Sequence, residues 1–113
     1  MDDQVKARIQ GLVDENDVVL FMKGTKTFPQ CGFSATVVEV LRRLELDFKD
    51  VNVLEDADIR QGIKEYASWP TIPQLYVKGK FVGGCDIVRD MYTNGELRTL
   101  VDEALGKKTE QEG

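Results

Sequence analysis

Cys31 is the residue in this chain best placed to do chemistry, because of what stands on either side of it. It lies in Lys23-Gly24-Thr25-Lys26-Thr27-Phe28-Pro29-Gln30-Cys31-Gly32-Phe33-Ser34, after the apolar run Val18 to Met22 and before apolar residues at Phe33, Val37, Val40, Leu41 and Leu44. The run reads as a buried strand and the spaced residues as a helix, so the cysteine falls where a strand hands over to a helix. A helix N-terminus offers free backbone N–H groups and the positive end of a dipole, and Lys23 can bring a full positive charge to the same place. Such conditions take a thiol from a pKa of about 8.5 toward roughly 3.5 to 7.5, so a thiolate is expected at neutral pH. Free cysteine is often only a small buried hydrophobe, but the small and polar neighbours Gln30, Gly32 and Ser34 argue against a core position.

The chemistry is confined to one thiol. A Cys-x-x-Cys redox motif would need its second cysteine at Ser34, and a hydroxyl cannot attack and resolve a mixed disulfide. Any second sulfur must come from elsewhere. Cys85 follows Gly83-Gly84 and precedes Asp86, at what the pattern makes the opening of another helix. That opening is a ready anion site and Asp86 a natural N-cap, while Cys85 is taken as a buried spacer in preference to a redox group. In Trp69-Pro70-Thr71-Ile72-Pro73 the two prolines pin an extended backbone, either as a cis turn or as a rigid lead into a strand. Trp69 and Phe33 are taken as packing residues beside the site. Arg60 sits on a helical pattern, where an arginine is ordinarily a solvated surface residue.

The elements that must position these groups form one domain, as 113 residues with 42% apolar and 31% charged content imply. A helix over residues 4–14 precedes the strand Val18 to Met22; a helix over 33–44 and a partly exposed strand from Phe48 to Val53 complete a βαβ unit with parallel strands. Asp56 and Asp58 open a third helix carrying Ile59, Ile63 and Tyr66, which must stop by Ser68 ahead of Pro70. Gln74 to Val77 and Lys80 to Val82 form a hairpin about Lys78-Gly79. Helices through Ile87, Val88 and Met91, then Leu97, Leu100, Val101 and Leu105, close the domain at about residue 106, leaving a polar tail over 107–113. The class is α/β, a four-stranded mixed sheet flanked by helices.

Several functions are disfavoured at this point. The net charge of −5, with basic residues scattered, argues against a grip on nucleic acid or an anionic membrane. No apolar run approaches a membrane span and no signal peptide is evident, so a cytoplasmic protein is expected, bacterial first, or one of an organelle matrix or stroma if a transit peptide has been removed. Two cysteines make no disulfide framework, and the absence of histidine removes Ser-His-Asp and Cys-His catalysis and most zinc sites.

Cys31-Gly32-Phe33-Ser34, with Lys23-Gly24-Thr25 before it and Trp69-Pro70-Thr71-Ile72-Pro73 and Gly83-Gly84-Cys85-Asp86 after it, resembles the monothiol glutaredoxins of the Cys-Gly-Phe-Ser class. The likeness covers nearly the whole chain. It implies the thioredoxin fold and glutathione as cofactor. Pro73 would be cis and lie against Cys31, Ile72 would pair its backbone with the cysteine of glutathione, and Lys23 and Arg60 would hold the glycine end. Gly84 would admit the ligand closely, with the N–H groups of Cys85 and Asp86 taking the γ-glutamyl carboxylate and the Asp86 side chain its ammonium. The resemblance also implies a 2Fe-2S carrier in iron–sulfur assembly, with Cys31 as the metal ligand. Such a cluster wants four thiolates, so two subunits and two glutathiones would share it, giving a homodimer when cluster-bound. BolA-like proteins and apo iron–sulfur acceptors are the implied partners. The alternative is a glutathione-dependent oxidoreductase in which Cys31 is the catalytic nucleophile on glutathionylated proteins; the carrier role is favoured.

Overall fold

Five consecutive apolar residues, Val18–Met22, form the central strand β1, and every one is buried. Val18, Leu20 and Met22 enter one core while Val19 and Phe21 enter a second, as the alternation of a strand requires. A strand buried on both faces needs a helical layer on each side. In the computed structural model, which describes residues 1–106, those layers are α2 (Gly32–Arg43), α4 (Cys85–Thr93) and α5 (Glu96–Leu105) on one face, and α1 (Asp3–Glu15) and α3 (Ala57–Ala67) on the other. β1 pairs in parallel with β2 (Lys49–Asn52) and antiparallel with β3 (Gln74–Val77), which pairs antiparallel with β4 (Lys80–Gly83). The sheet order is β2-β1-β3-β4, the four-stranded mixed sheet expected.

Most boundaries fall within a residue or two of expectation, and the differences have local causes. β2 is shorter than Phe48 to Val53 because Phe48 is buried ahead of the strand and Val53 opens a 3-10 turn, Val53–Glu55, capped by the Asn52 side chain accepting from Leu54 N–H at 3.0 Å. Asp56 caps α3 as expected, accepting from Ile59 N–H at 3.1 Å, and also pairs with Arg8 of α1. The hairpin turns through Lys78 and Gly79, both at positive φ. Asp86 does not cap α4. Gly84 holds the N-cap position in extended conformation, and Asp86, already inside the first turn, turns its carboxylate to Arg89 at 3.3 Å. The helix opening is thereby left without a side-chain cap. Among the described residues no helix is long and apolar enough to cross a membrane. The tail expected over 107–113 lies outside the described residues.

Candidate functional site

The N-terminal ends of α2 and α4 and the segment Trp69 to Pro73 enclose a groove of about 690 Å³. Lys23, Cys31, Ile72, Pro73, Gly84, Cys85 and Asp86 all line it, so three stretches far apart in the chain converge there. Trp69 and Phe33 line it too, and Phe33 with Ile87 gives it an exposed apolar edge. Arg60 is not among the lining residues. Lys64, one turn further along the same face of α3, is.

Cys31 is the N-cap residue of α2, half-buried and reduced. Burial pushes its thiol up, but the backbone N–H groups of Ser34 and Phe33, the Ser34 hydroxyl and the Lys23 charge together outweigh that and hold it below the ordinary thiol value. No cap hydrogen bond of normal geometry reaches the sulfur, so these N–H groups act by favouring charge there rather than by closing a formed bond. Ser34 has a second task. It is fully buried, and its hydroxyl accepts the Lys23 N–H at 3.1 Å, joining the end of β1 to the first turn of α2.

Between Lys23 and Cys31 the chain folds back on itself. Gly24 sits at φ 92°, and a Cβ there would come within 2.5 Å of Gln30 N, so only glycine fits. The loop is tied to its surroundings throughout: Gly24 N–H donates to Asn52 Oδ1 at 2.9 Å, Lys26 N–H to Asp50 Oδ2 at 2.8 Å, and Gln30 N–H to Lys23 O at 2.9 Å. The Lys26 ammonium donates to Phe48 O at 2.7 Å, and Arg42 donates to Lys26 O at 3.0 Å. Phe28 is thereby held out in solvent, 71% exposed.

The opposite wall is the Trp69 to Pro73 segment. Its Ile72–Pro73 bond is cis, the first of the two alternatives the prolines allowed, and both residues are buried. The Gln74 amide donates to Trp69 O at 3.1 Å and to Thr71 O at 3.2 Å, and its own oxygen accepts from the Tyr76 hydroxyl at 3.1 Å. Gly84 closes the end of the groove. A Cβ there would stand 3.2 Å from Trp69 Nε1 and 3.3 Å from Pro73 O, tighter than a side chain tolerates comfortably. Beside it Cys85 is half-buried, with its thiol raised: burial dominates and the Asp86 charge adds to it, against the smaller opposing effects of Arg89 and the Thr36 hydroxyl. Among the described residues no group of three or more histidine, cysteine, aspartate or glutamate side chains could hold a metal ion. One chain offers a lone favoured thiolate.

Lys64, Ser34 as more than a missing cysteine, and Gln74 are the residues that sequence reasoning passed over. Lys64 carried a signal, its i,i+4 spacing from Arg60, which puts both cations on one helix face. Gln74 carried another, a polar residue opening an otherwise apolar strand.

Comparison with known proteins gives a consistent result. A Glutaredoxin family model matches residues 18–82. A Synechocystis protein described as an uncharacterized monothiol glutaredoxin ycf64-like is 57% identical over 105 residues, 93% of this chain and 98% of that protein. The chloroplastic monothiol glutaredoxin-S14 of Arabidopsis thaliana is 53% identical over 102 residues, which cover 90% of this chain and 59% of that one. Among solved structures, reduced poplar apo GrxS14 matches with a TM-score of 0.81 at 53% identity, covering 91% of this chain and 94% of that one. A buckwheat glutaredoxin–glutathione complex matches with a TM-score of 0.80 at 24% identity, covering 96% of this chain and 99% of that one; such identity speaks to the fold alone, which is the thioredoxin fold.

Proposed function

The chain belongs to the monothiol branch of the glutaredoxin family, and from that premise we propose that it binds glutathione in the Cys31 groove and carries a 2Fe-2S cluster for iron–sulfur assembly and redox homeostasis. The observation that supports this reading best is a lone thiol held below its ordinary pKa across a groove from a second, uncapped helix opening. A glutaredoxin of the same fold has been crystallised with glutathione. In this reading Ile72 offers its backbone to the cysteine of glutathione, and the N–H groups of Cys85 and Asp86 take the γ-glutamyl carboxylate. The Asp86 carboxylate takes the ammonium. Gly84 lets the ligand approach, Pro73 backs it against Cys31, and Lys23 with Lys64 meets the glycine carboxylate while Arg60 stands one turn behind.

The cluster is cargo, and the donor set limits how it is held. Each chain supplies the Cys31 thiolate and a glutathione supplies another, so four sulfurs require two of each and a homodimer. Ligands that are not covalently attached make the cluster easy to pass on. Apo iron–sulfur proteins and BolA-like proteins are the proposed partners. Residues 1–106 make up the proposed domain, and a bacterial cytoplasm or a plastid stroma is the proposed setting, since a Rickettsia typhi relative and a chloroplastic one are each 53% identical to this chain over the matched residues.

Anaerobic reconstitution with iron, sulfide and glutathione, followed by size-exclusion chromatography with iron and thiol analysis, tests the proposal. The expected product is a coloured dimer containing two glutathiones that loses colour and dissociates together when glutathione is removed. A coloured monomer, or a coloured dimer free of glutathione, overturns it. A second reading, glutathionyl exchange through Cys31, draws on the same lowered thiol and on Ser34, which leaves resolution to a second glutathione. Turnover of a glutathionylated peptide by the cluster-free protein distinguishes it.

A further inference from the structure

Ser34 and Gln74 are the polar residues that lie fully buried among the described ones, and Gln74 has no part in the chemistry above. Burying an amide is costly unless its groups are paired. Here they are: both amide protons go to the carbonyls of Trp69 and Thr71, and the amide oxygen receives the Tyr76 hydroxyl. The orientation is forced, because two carbonyls can only accept and must face the nitrogen. The bonds run from a rigid frame to a segment anchored at its ends, by Trp69 on Phe81 and the Lys64 carbonyl and by Ile72 in the core, whose carbonyls at Trp69 and Thr71 are tied to β3 through this side chain. Gln74 opens β3, a strand paired on both sides, and Tyr76 is wedged among Phe21, Tyr66 and Phe81 with ring centroids 5.4 to 6.0 Å away. Burial also raises the Tyr76 hydroxyl far above its usual pKa, so it stays a donor at any working pH. Trp69 to Pro73, in contrast, belongs to no strand or helix, and Pro70 and Thr71 are exposed.

A methionine has nearly the length and volume of glutamine, so filling the space in the core does not by itself call for an amide. What an amide adds is a fixed distance between β3 and two carbonyls of the groove wall. We infer that Gln74 is a positioning residue for ligand binding: its side chain sets the backbone of the Trp69 to Pro73 wall so that Ile72 can pair with the peptide in the groove. This inference rests on the reading of the groove as a glutathione site.

The test uses calorimetric titration with glutathione of the wild type, Gln74→Met and Gln74→Glu, with the iodoacetamide reactivity of Cys31 against pH and the thermal midpoint measured on each. Methionine keeps the volume and removes both donors together with the acceptor of the Tyr76 hydroxyl. Glutamate keeps the acceptor for Tyr76 and turns an oxygen toward two carbonyls, which is worse. Affinity is expected to fall about tenfold in Gln74→Met and further in Gln74→Glu, a loss of about 1.4 kcal/mol or more. The Cys31 profile should stay where it is, and the midpoint of Gln74→Met should fall, because the buried Tyr76 hydroxyl loses its acceptor, while affinity measured well below that midpoint falls as well. A merely structural residue would move the midpoint and leave affinity, measured well below it, alone. Unchanged affinity in both variants overturns the inference, as does failure of both to fold or a shift of the Cys31 profile in step with affinity. A wild type that takes no glutathione overturns the glutathione reading itself and the inference with it.

Discussion

At the start of α2 the cysteine is the N-cap residue; at the start of α4 it is the first residue inside the helix. Both face one groove and both stand at the positive end of a helix, yet Cys31 is held below the ordinary thiol pKa and Cys85 above it. The offset of one position accounts for much of the difference. An N-cap side chain is the one aimed at the N–H groups two and three residues on, here those of Phe33 and Ser34. Cys85, one residue later, is raised mainly by its burial, with Arg89 opposing and Asp86 adding to the rise, and lacks such a pair of N–H groups. A helix N-terminus thus activates a thiol by geometry, and proximity to the dipole is not enough.

The strongest break of that comparison is to remove one thiol at a time. Cys31→Ser should abolish alkylation by iodoacetamide at neutral pH, glutathionyl exchange and cluster binding, while Cys85→Ser keeps most of each. Equal alkylation rates for the two thiols in the wild type would falsify the assignment. Next in size are the cations. Lys23→Gln should raise the Cys31 pKa and weaken glutathione binding by about 1.5 to 3 kcal/mol, the range for a charge-assisted hydrogen bond shielded from water. Lys64→Gln should cost more affinity than Arg60→Gln, since of the two Lys64 lines the groove; calorimetry giving the reverse order would favour Arg60 at the glycine end, as the sequence resemblance implies.

Ser34→Ala sharpens the comparison further by taking one support from Cys31 and none from Cys85. The Cys31 pKa should rise, and the Lys23 N–H, left without its acceptor, should cost about 1 to 3 kcal/mol of stability in urea titration. The two thiols should also bend the pH dependence of stability in opposite senses. Between the lowered pKa of Cys31 and the ordinary thiol value the unfolded chain holds a proton that the folded one has lost, so stability rises with pH through that window. Between the ordinary value and the raised pKa of Cys85 the folded chain keeps the proton, and stability falls. Unfolding curves of Cys31→Ser and Cys85→Ser across alkaline pH should diverge from the wild type with those two signs. On the thiols the smallest effect belongs to Asp86→Asn, which should lower the Cys85 pKa and leave that of Cys31 in place, while glutathione binding weakens with the loss of the partner proposed for its ammonium.

The uninterrupted apolar run at Val18–Met22 made β1 and the two flanking helix layers readable in the sequence, because a strand so apolar has nowhere to go but a sheet interior. The junction at Cys31 was readable for the same reason. Asp86 was misjudged as a cap because Gly84 and Asp86 both suit that position, and the choice depends on where β4 lets go of β3. Arg60 and Lys64 lie on one face of α3, and which of them meets the groove depends on how far α3 slides along the sheet, a tertiary quantity with no local signature. Gln74 could be seen as an oddity in an apolar strand, but its partners come from a loop whose path only the folded chain defines.

The loop from Gly24 to Gln30 has no helix or strand, yet its amides at Gly24, Lys26 and Gln30 are committed to Asn52, Asp50 and Lys23. Loops are ordinarily the first places to surrender amide protons to solvent; these three should exchange slowly, those of Gly24 and Lys26 only when β2 opens. Because the backbone entropy of that loop is lost when the chain folds, a molecule arriving at Cys31 meets a loop backbone with little left to order. Association there should follow a single kinetic phase, linear in partner concentration, with no conformational step ahead of contact.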